Sequence, residues 1–198
     1  MFHILTVCTA NICRSTMAAA QLERMLTDAG LADAFAVTSR GVRAQDGYPA
    51  CPIGFGFGGV PVPAHESARL DVASITEADL ILTAEATHRG SVVTMLPRAR
   101  SRVFTMNEAA ALTGWYMAQV RDGAPLPAPP TGADADERLQ WWVRELNDTR
   151  GATPIASLDI GDPHLVERGP DTHEVTAHNI ADVMATVAAG LAFALARS

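Results

Sequence analysis

Phe2-His3-Ile4-Leu5-Thr6-Val7-Cys8-Thr9-Ala10-Asn11-Ile12-Cys13-Arg14-Ser15 carries the first decision about the fold. Phe2 to Val7 is a short apolar run of the kind that forms a buried parallel strand. From Ser15 the apolar residues Ala18, Leu22, Met25, Leu26 and Ala29 recur at helical spacing until Gly30. Strand, loop and helix therefore follow in immediate succession. The loop lies where open parallel sheets bind ligands and where the free N–H groups of a helix start collect, so it is built to hold an anion.

Working outward, Ala34 to Thr38, Ala78 to Thr83 and Arg102 to Thr105 read as further strands, with helical patterns near Glu85 to Leu96 and from Glu108 onward. Strands alternating with helices imply a parallel sheet covered on both faces, here a three-layer α/β/α domain around four strands. Tyr48 to Pro63 holds four prolines and four glycines, which makes it a loop or a distorted helix. Gly54 to Gly59 satisfies G-x-G-x-x-G, but Val60-Pro61-Val62-Pro63 cannot open the helix a dinucleotide site requires. Arg121 to Ala133 reads as a surface loop and Asp134 to Arg150 as a helix. Together they suggest a loop–helix insertion at about 114–158 within one domain spanning 1–198. From His173, Ile180, Val183, Met184, Val187, Leu191 and Leu195 mark an amphipathic last helix. Its most apolar part, Val183 to Ala196, is shorter than the roughly 20 residues of a membrane span, so no membrane contact is expected.

A net charge of -7 disfavours nucleic acid as a partner, because non-specific affinity for a polyanion comes from basic side chains. All 15 basic residues are Arg, which excludes a P-loop nucleotidase and Schiff-base chemistry. Three cysteines are an odd number, and Met1 to Val7 lacks the marks of a secretory signal, so the reducing cytoplasm is the expected location. Chemistry can then be assigned to the thiols.

Five residues separate Cys8 from Arg14. At that spacing the intervening N–H groups point inward, the sulfur sits at the base of the cradle, and the guanidinium fork can hold two phosphoryl oxygens. The same field favours thiolate over thiol. Asn11 tolerates a left-handed backbone, and Ser15 can hydrogen-bond the sulfur. A buried structural cysteine is the competing reading of Cys8 alone. Zinc at Cys8 and Cys13 lacks a matching pair nearby, and His173 and His178 diverge on a helix, so no metal site is expected.

These residues resemble the C-x-G-N-x-C-R-S-P signature of the low-molecular-weight protein tyrosine phosphatases. Val37 to Val42 resembles that family's V-x-S-A-G-T segment, His65 to Leu70 its H-x-x-R-x-L segment, Ala78 to Thr83 its third buried strand, and Asp162-Pro163-His164 its late D-P-aromatic loop. The insert is similar to that of longer actinobacterial members. The resemblance implies a phosphatase I-like fold and hydrolysis of phosphotyrosine or other aryl phosphomonoesters through a phosphocysteine. It implies no cofactor, and a phosphorylated protein or small aryl phosphate as partner. By the same resemblance Cys8 is the nucleophile, Arg14 the clamp, and Asp162 the acid that protonates the leaving oxygen and then helps water attack. Thr9, Ala10, Asn11, Ile12, Cys13 and Ser15 form the substrate cradle, tied together by Asn11, Ser15, Ser39 and His65. Cys13 is either a protective disulfide partner for Cys8 or a packing residue.

Some positions depart from the family pattern. Ala10 replaces a Gly, so it either strains the loop or lies at negative φ. Thr16 replaces a helix-starting Pro. No aromatic wall flanks Ser39 to Arg43, and Trp115-Tyr116 and Trp141-Trp142 either supply one or are core. Ile12 favours an aryl phosphate, since the similar enzymes acting on phosphoarginine carry Thr there. Asp159 is a rival acid, and Asp162-Pro163 also reads as a turn opener. Two alternatives share the scaffold. An arsenate reductase would need resolving thiols, yet no cysteine follows Cys51. The other is a non-catalytic phosphate-binding module.

Overall fold

Alternation along the strands decides which layer each side chain enters, since successive residues of a strand point to opposite faces. In the computed structural model, which describes residues 1–165 and 170–196, Phe2, Ile4 and Cys8 of β1 (Phe2–Cys8) join one core cluster, while Leu5 and Val7 join another. β2 is Phe35–Gly41, β3 is Leu80–Thr83 and β4 is Val103–Thr105. Leu80, Leu82 and Phe104 repeat the first side, and Ile81 and Val103 the second. All pairings are parallel, in the order β2-β1-β3-β4, with Cys8 level with Gly41 at the C-terminal edge. This is the expected three-layer α/β/α architecture around a four-stranded parallel sheet.

On the Cys8 side pack α1 (Arg14–Asp28), α2 (Pro52–Gly58), α5 (Met106–Arg121), α6 (Ala135–Asp148) and α7 (Pro170–Leu195). The other face is covered by α3 (Val72–Glu77) and α4 (Ala86–Met95). The glycine-rich stretch expected as a loop or distorted helix is α2. It starts on Pro52 and stops at Gly59, whose φ of +66° ends a helix without strain. α3 has no expectation behind it; it is set by Asp71, whose carboxylate accepts from the Ser74 N–H at 2.8 Å in a capping box. α5 begins at Met106, ahead of the expected Glu108, because Thr105 and Glu108 cap it reciprocally.

One sequence expectation, that the apolar stretch of the last helix is too short to span a membrane, is corrected by α7. The helix is longer than its most apolar stretch, and Thr172–Leu195 is long and apolar enough to cross a membrane by length and composition. Ala177, Ile180, Met184, Val187, Leu191 and Ala194 are nonetheless buried, packed against α1, α2, α5 and α6, as in a core helix. Tyr116 and Trp142 are fully buried with ring centroids 5.1 Å apart, and Phe193 closes the cluster. These aromatics are core and not a substrate wall.

Candidate active site

Five carbonyls of the loop joining β1 to α1 are held outward, four by donors from elsewhere in the chain and that of Cys13 by the first turn of α1. Val42 N–H donates to Cys8 O (3.0 Å), Arg43 N–H to Thr9 O (2.8 Å), Cys51 N–H to Ile12 O (2.8 Å) and Met17 N–H to Cys13 O (2.9 Å). His65 Nε2 donates to Asn11 O at 2.7 Å. A trans peptide sets its N–H opposite its C=O, so the following N–H groups face the concave side and form an anion-binding nest. Asn11 makes the turn: it is the only non-glycine residue with positive φ (57°) among the described residues. Ala10 therefore takes the place of a glycine without entering the left-handed region. The other departure, Thr16, gains a hydrogen bond from its hydroxyl to Cys13 O at 2.8 Å.

Space as well as hydrogen bonding fixes the loop. A Cβ on Gly41 would lie 2.7 Å from Asn11 N and 2.8 Å from Ala10 C and Thr9 O, so the loop rests directly on the end of β2. The Asn11 side chain bridges outward, donating to Ser39 Oγ (2.8 Å) and Ser15 Oγ (3.1 Å) and accepting from Ala68 N–H (2.9 Å). Ser15 Oγ, having accepted from Asn11, has its own hydrogen for Cys8 Sγ at 3.0 Å, and Asn11 N–H reaches the same sulfur at 3.3 Å. Cys8 is 3% exposed at the floor of the nest.

Arg14, only 1% exposed, is held by four groups. Nη1 donates to Ile160 O (2.9 Å) and to Glu85, and Nη2 to Thr9 Oγ1 (3.2 Å) and Asp162 Oδ2 (2.6 Å). Asp162 Oδ1 accepts from His164 N–H at 3.0 Å, so Asp162-Pro163 opens a turn and also faces the clamp. Its segment is anchored by Ile160 N–H on Ala84 O (2.8 Å). Asp159, the rival acid, accepts from Ala86 N–H at 2.7 Å and so caps α4, away from the cavity. That cavity, about 210 Å³, is lined by Cys8, Thr9, Ala10, Ile12, Cys13, Arg14, Asp162 and His164.

Two functional residues lie outside the sequence reading. Glu85, just past β3, buries its carboxylate on Arg14. Its burial opposes ionisation, but the hydrogen bond and charge of Arg14 outweigh that and hold the carboxyl below its usual range. His88, in the first turn of α4, meets Thr9 Oγ1 at 3.0 Å. Burial lowers its pKa against the opposing charge of Glu85, which favours the neutral imidazole at its contact with Thr9. The signal available for both was position alone: they follow a parallel strand at its C-terminal end. Cys13 turns its thiol to Cys51, the residue just before α2. The Cys13 hydrogen bond, joined by the Gly54 and Ile53 N–H groups, lowers the Cys51 pKa against its burial, and the same bond raises that of Cys13.

Comparison with known proteins agrees with this geometry. A sequence model described as low molecular weight phosphotyrosine protein phosphatase matches residues 3–122. The probable low molecular weight protein-tyrosine-phosphatase EpsP of Ralstonia nicotianae is 32% identical over 108 residues, covering 53% of this chain and 70% of the relative. The protein-arginine-phosphatase of Geobacillus stearothermophilus is 33% identical over 110 residues, covering 54% and 70%. Among solved structures, the low molecular weight protein tyrosine phosphatase from T. tengcongensis superposes with a TM-score of 0.64 at 20% identity, covering 94% of this chain and 97% of that one. The YwlE arginine phosphatase from Geobacillus stearothermophilus does so with a TM-score of 0.66 at 22% identity, covering 97% and 94%.

Proposed function

The chain belongs to the low molecular weight phosphotyrosine protein phosphatase family, and from that premise we propose that it hydrolyses phosphotyrosine on protein substrates, with Cys8 as nucleophile, Arg14 as clamp and Asp162 as acid. The observation that carries the assignment is the nest: outward-held carbonyls, inward N–H groups and the Cys8 sulfur at their centre. A phosphoryl group entering it lays its oxygens on the N–H groups and the Arg14 guanidinium, which places phosphorus over Sγ. Sulfur attacks phosphorus as the P–O bond to the leaving group breaks, and Asp162 gives that oxygen its proton. Water then attacks the phosphocysteine, Asp162 takes back a proton, and phosphate leaves with the Cys8 thiolate restored. Asn11, Ser15, Ser39 and His65 hold the nest in shape, and Glu85 and Thr9 set the Arg14 plane.

Ile12 and Ala10 supply the apolar lining of the cavity, which suits the face of an aryl ring better than the polar guanidine of phosphoarginine. Three free, buried thiols suit the reducing cytoplasm, where we place the enzyme. Parallel kinetics on phosphotyrosyl and phosphoarginyl peptides test the substrate reading, with Ile12→Thr alongside. The parent should favour the phosphotyrosyl peptide and Ile12→Thr should narrow the preference. A parent that favours the phosphoarginyl peptide refutes it.

A further inference from the structure

At the wall of the catalytic cavity, which Cys13 and His164 help to line, four side chains from four separate elements converge: Cys13 at the start of α1, Cys51 at the start of α2, His164 on the turn after Asp162, and His173 in α7. Their sulfur and ring-nitrogen atoms all lie within 4.8 Å of one another. We propose that these four residues form a tetrahedral Cys2His2 site for zinc, distinct from the nucleophile. The pairing that the sequence could not supply for Cys13 comes from Cys51, 38 positions on in a different helix start, and the two histidines come from the far end of the chain.

Three observations carry the proposal. His173 is 4% exposed, and neither of its ring nitrogens has a hydrogen-bond partner among the described residues. A buried imidazole with both nitrogens unpartnered is costly, and its direction into a pair of sulfurs gives the cost a purpose. Second, the donor set is two sulfurs and two imidazoles, which selects zinc among common divalent ions. In such a site Zn–S of about 2.3 Å and Zn–N of about 2.0–2.1 Å put ligand atoms roughly 3.3–3.8 Å apart, so the widest pair here closes by at most about 1–1.5 Å. His164, exposed on its turn, is the group with room to do so. Third, the sulfur pair is closely enclosed: a Cβ on Gly54 would come within 3.2 Å of Cys13 Sγ, so Gly54 leaves the room that the Cys13 sulfur occupies beside the start of α2. His164 and His173 already meet edge to face at 4.7 Å.

Binding releases to solvent whatever protons the two thiols carry and changes no oxidation state. Its consequence is mechanical. The ion would fasten the turn bearing Asp162 to the loop bearing Cys8, and it would occupy Cys13, removing that thiol as a disulfide partner for Cys8.

Zinc titration against a coloured chelator, in full-length reduced protein, tests the site without relying on phosphatase turnover. The parent and Cys8→Ser should each take up one equivalent. Cys51→Ser, His164→Ala and His173→Ala, each checked for folding by circular dichroism, should lose more than the roughly 10–100-fold in affinity that an outer-shell partner is worth. Cobalt should show the intense visible bands of a tetrahedral ion with thiolate charge transfer, diminished in Cys51→Ser. A parent that binds no zinc overturns the proposal. So does binding that Cys8→Ser abolishes, or that folded Cys51→Ser and His164→Ala retain, because the ion would then sit elsewhere.

Discussion

Adding one carbon at Gly41 should damage catalysis without touching any reacting group. The new methyl would lie 2.7 Å from Asn11 N and 2.8 Å from Ala10 C and Thr9 O, all backbone atoms of the nest. Ordinary contact begins near 3.4 Å, so the loop or the strand must give by about 0.7 Å. Overpacking of this kind costs about 1–3 kcal/mol, which for a domain of this size lowers Tm by about 2–12 °C. A displacement approaching 1 Å at a reacting centre costs up to about 100-fold, so kcat/KM of Gly41→Ala on an aryl phosphate should fall about 10–100-fold. Gly190→Ala is the control. Its methyl would crowd Thr113 Cγ2 and Trp142 Cζ2, both at 2.7 Å, within the α5–α6–α7 core and against no atom of the nest. It should lower Tm and leave kcat/KM within about twofold of the parent. Steady-state kinetics and thermal melts of both variants decide the matter. A Gly41→Ala enzyme of parental kcat/KM, or a Gly190→Ala enzyme equally impaired, refutes the claim that Gly41 is required by contact with the nest.

Asp162→Asn should cost about 10²–10⁴-fold on phenyl phosphate and far less on nitrophenyl phosphate, whose leaving group needs no proton; equal losses on both would remove Asp162 as the acid. Glu85→Gln weakens a charge-assisted bond to Arg14 and should lower kcat/KM by about tenfold or more, read on an aryl phosphate with folding confirmed by melting. Because His88 is held neutral, its folded pKa lies below its unfolded value. Its contribution to stability is then complete above about pH 6.5 and declines as pH falls. Glu85, also lowered, acts in the same direction at more acid pH. Tm should therefore fall on acidification from pH 7.5 to 5.5, and His88→Gln should flatten that slope; an unchanged slope would mean His88 does not titrate there.

The fold was legible because β1 and α1 state their periods plainly and the alternation of Ile4, Leu5, Val7 and Cys8 assigns both layers. Helix starts were less so, since Thr105 and Asp71 act through reciprocal caps that hydrophobic spacing does not display. In the site, the Cys8–Arg14 spacing and the Asp-Pro pair announce themselves as local patterns. Glu85 and His88 do not. Their roles arise from contact with residues more than seventy positions away, Arg14 and Thr9. The grouping of Cys13 and Cys51 with His164 and His173 is likewise a product of packing, with no spacing in the chain to signal it.

Trapping of the covalent intermediate tests the account most directly. Rapid acid quenching of the enzyme during turnover of a labelled aryl phosphate, followed by peptide mapping, should find the phosphoryl group on the peptide carrying Cys8, and Cys8→Ser should show no turnover. Turnover that persists in Cys8→Ser, or proceeds in the parent with label on any other residue, would contradict it.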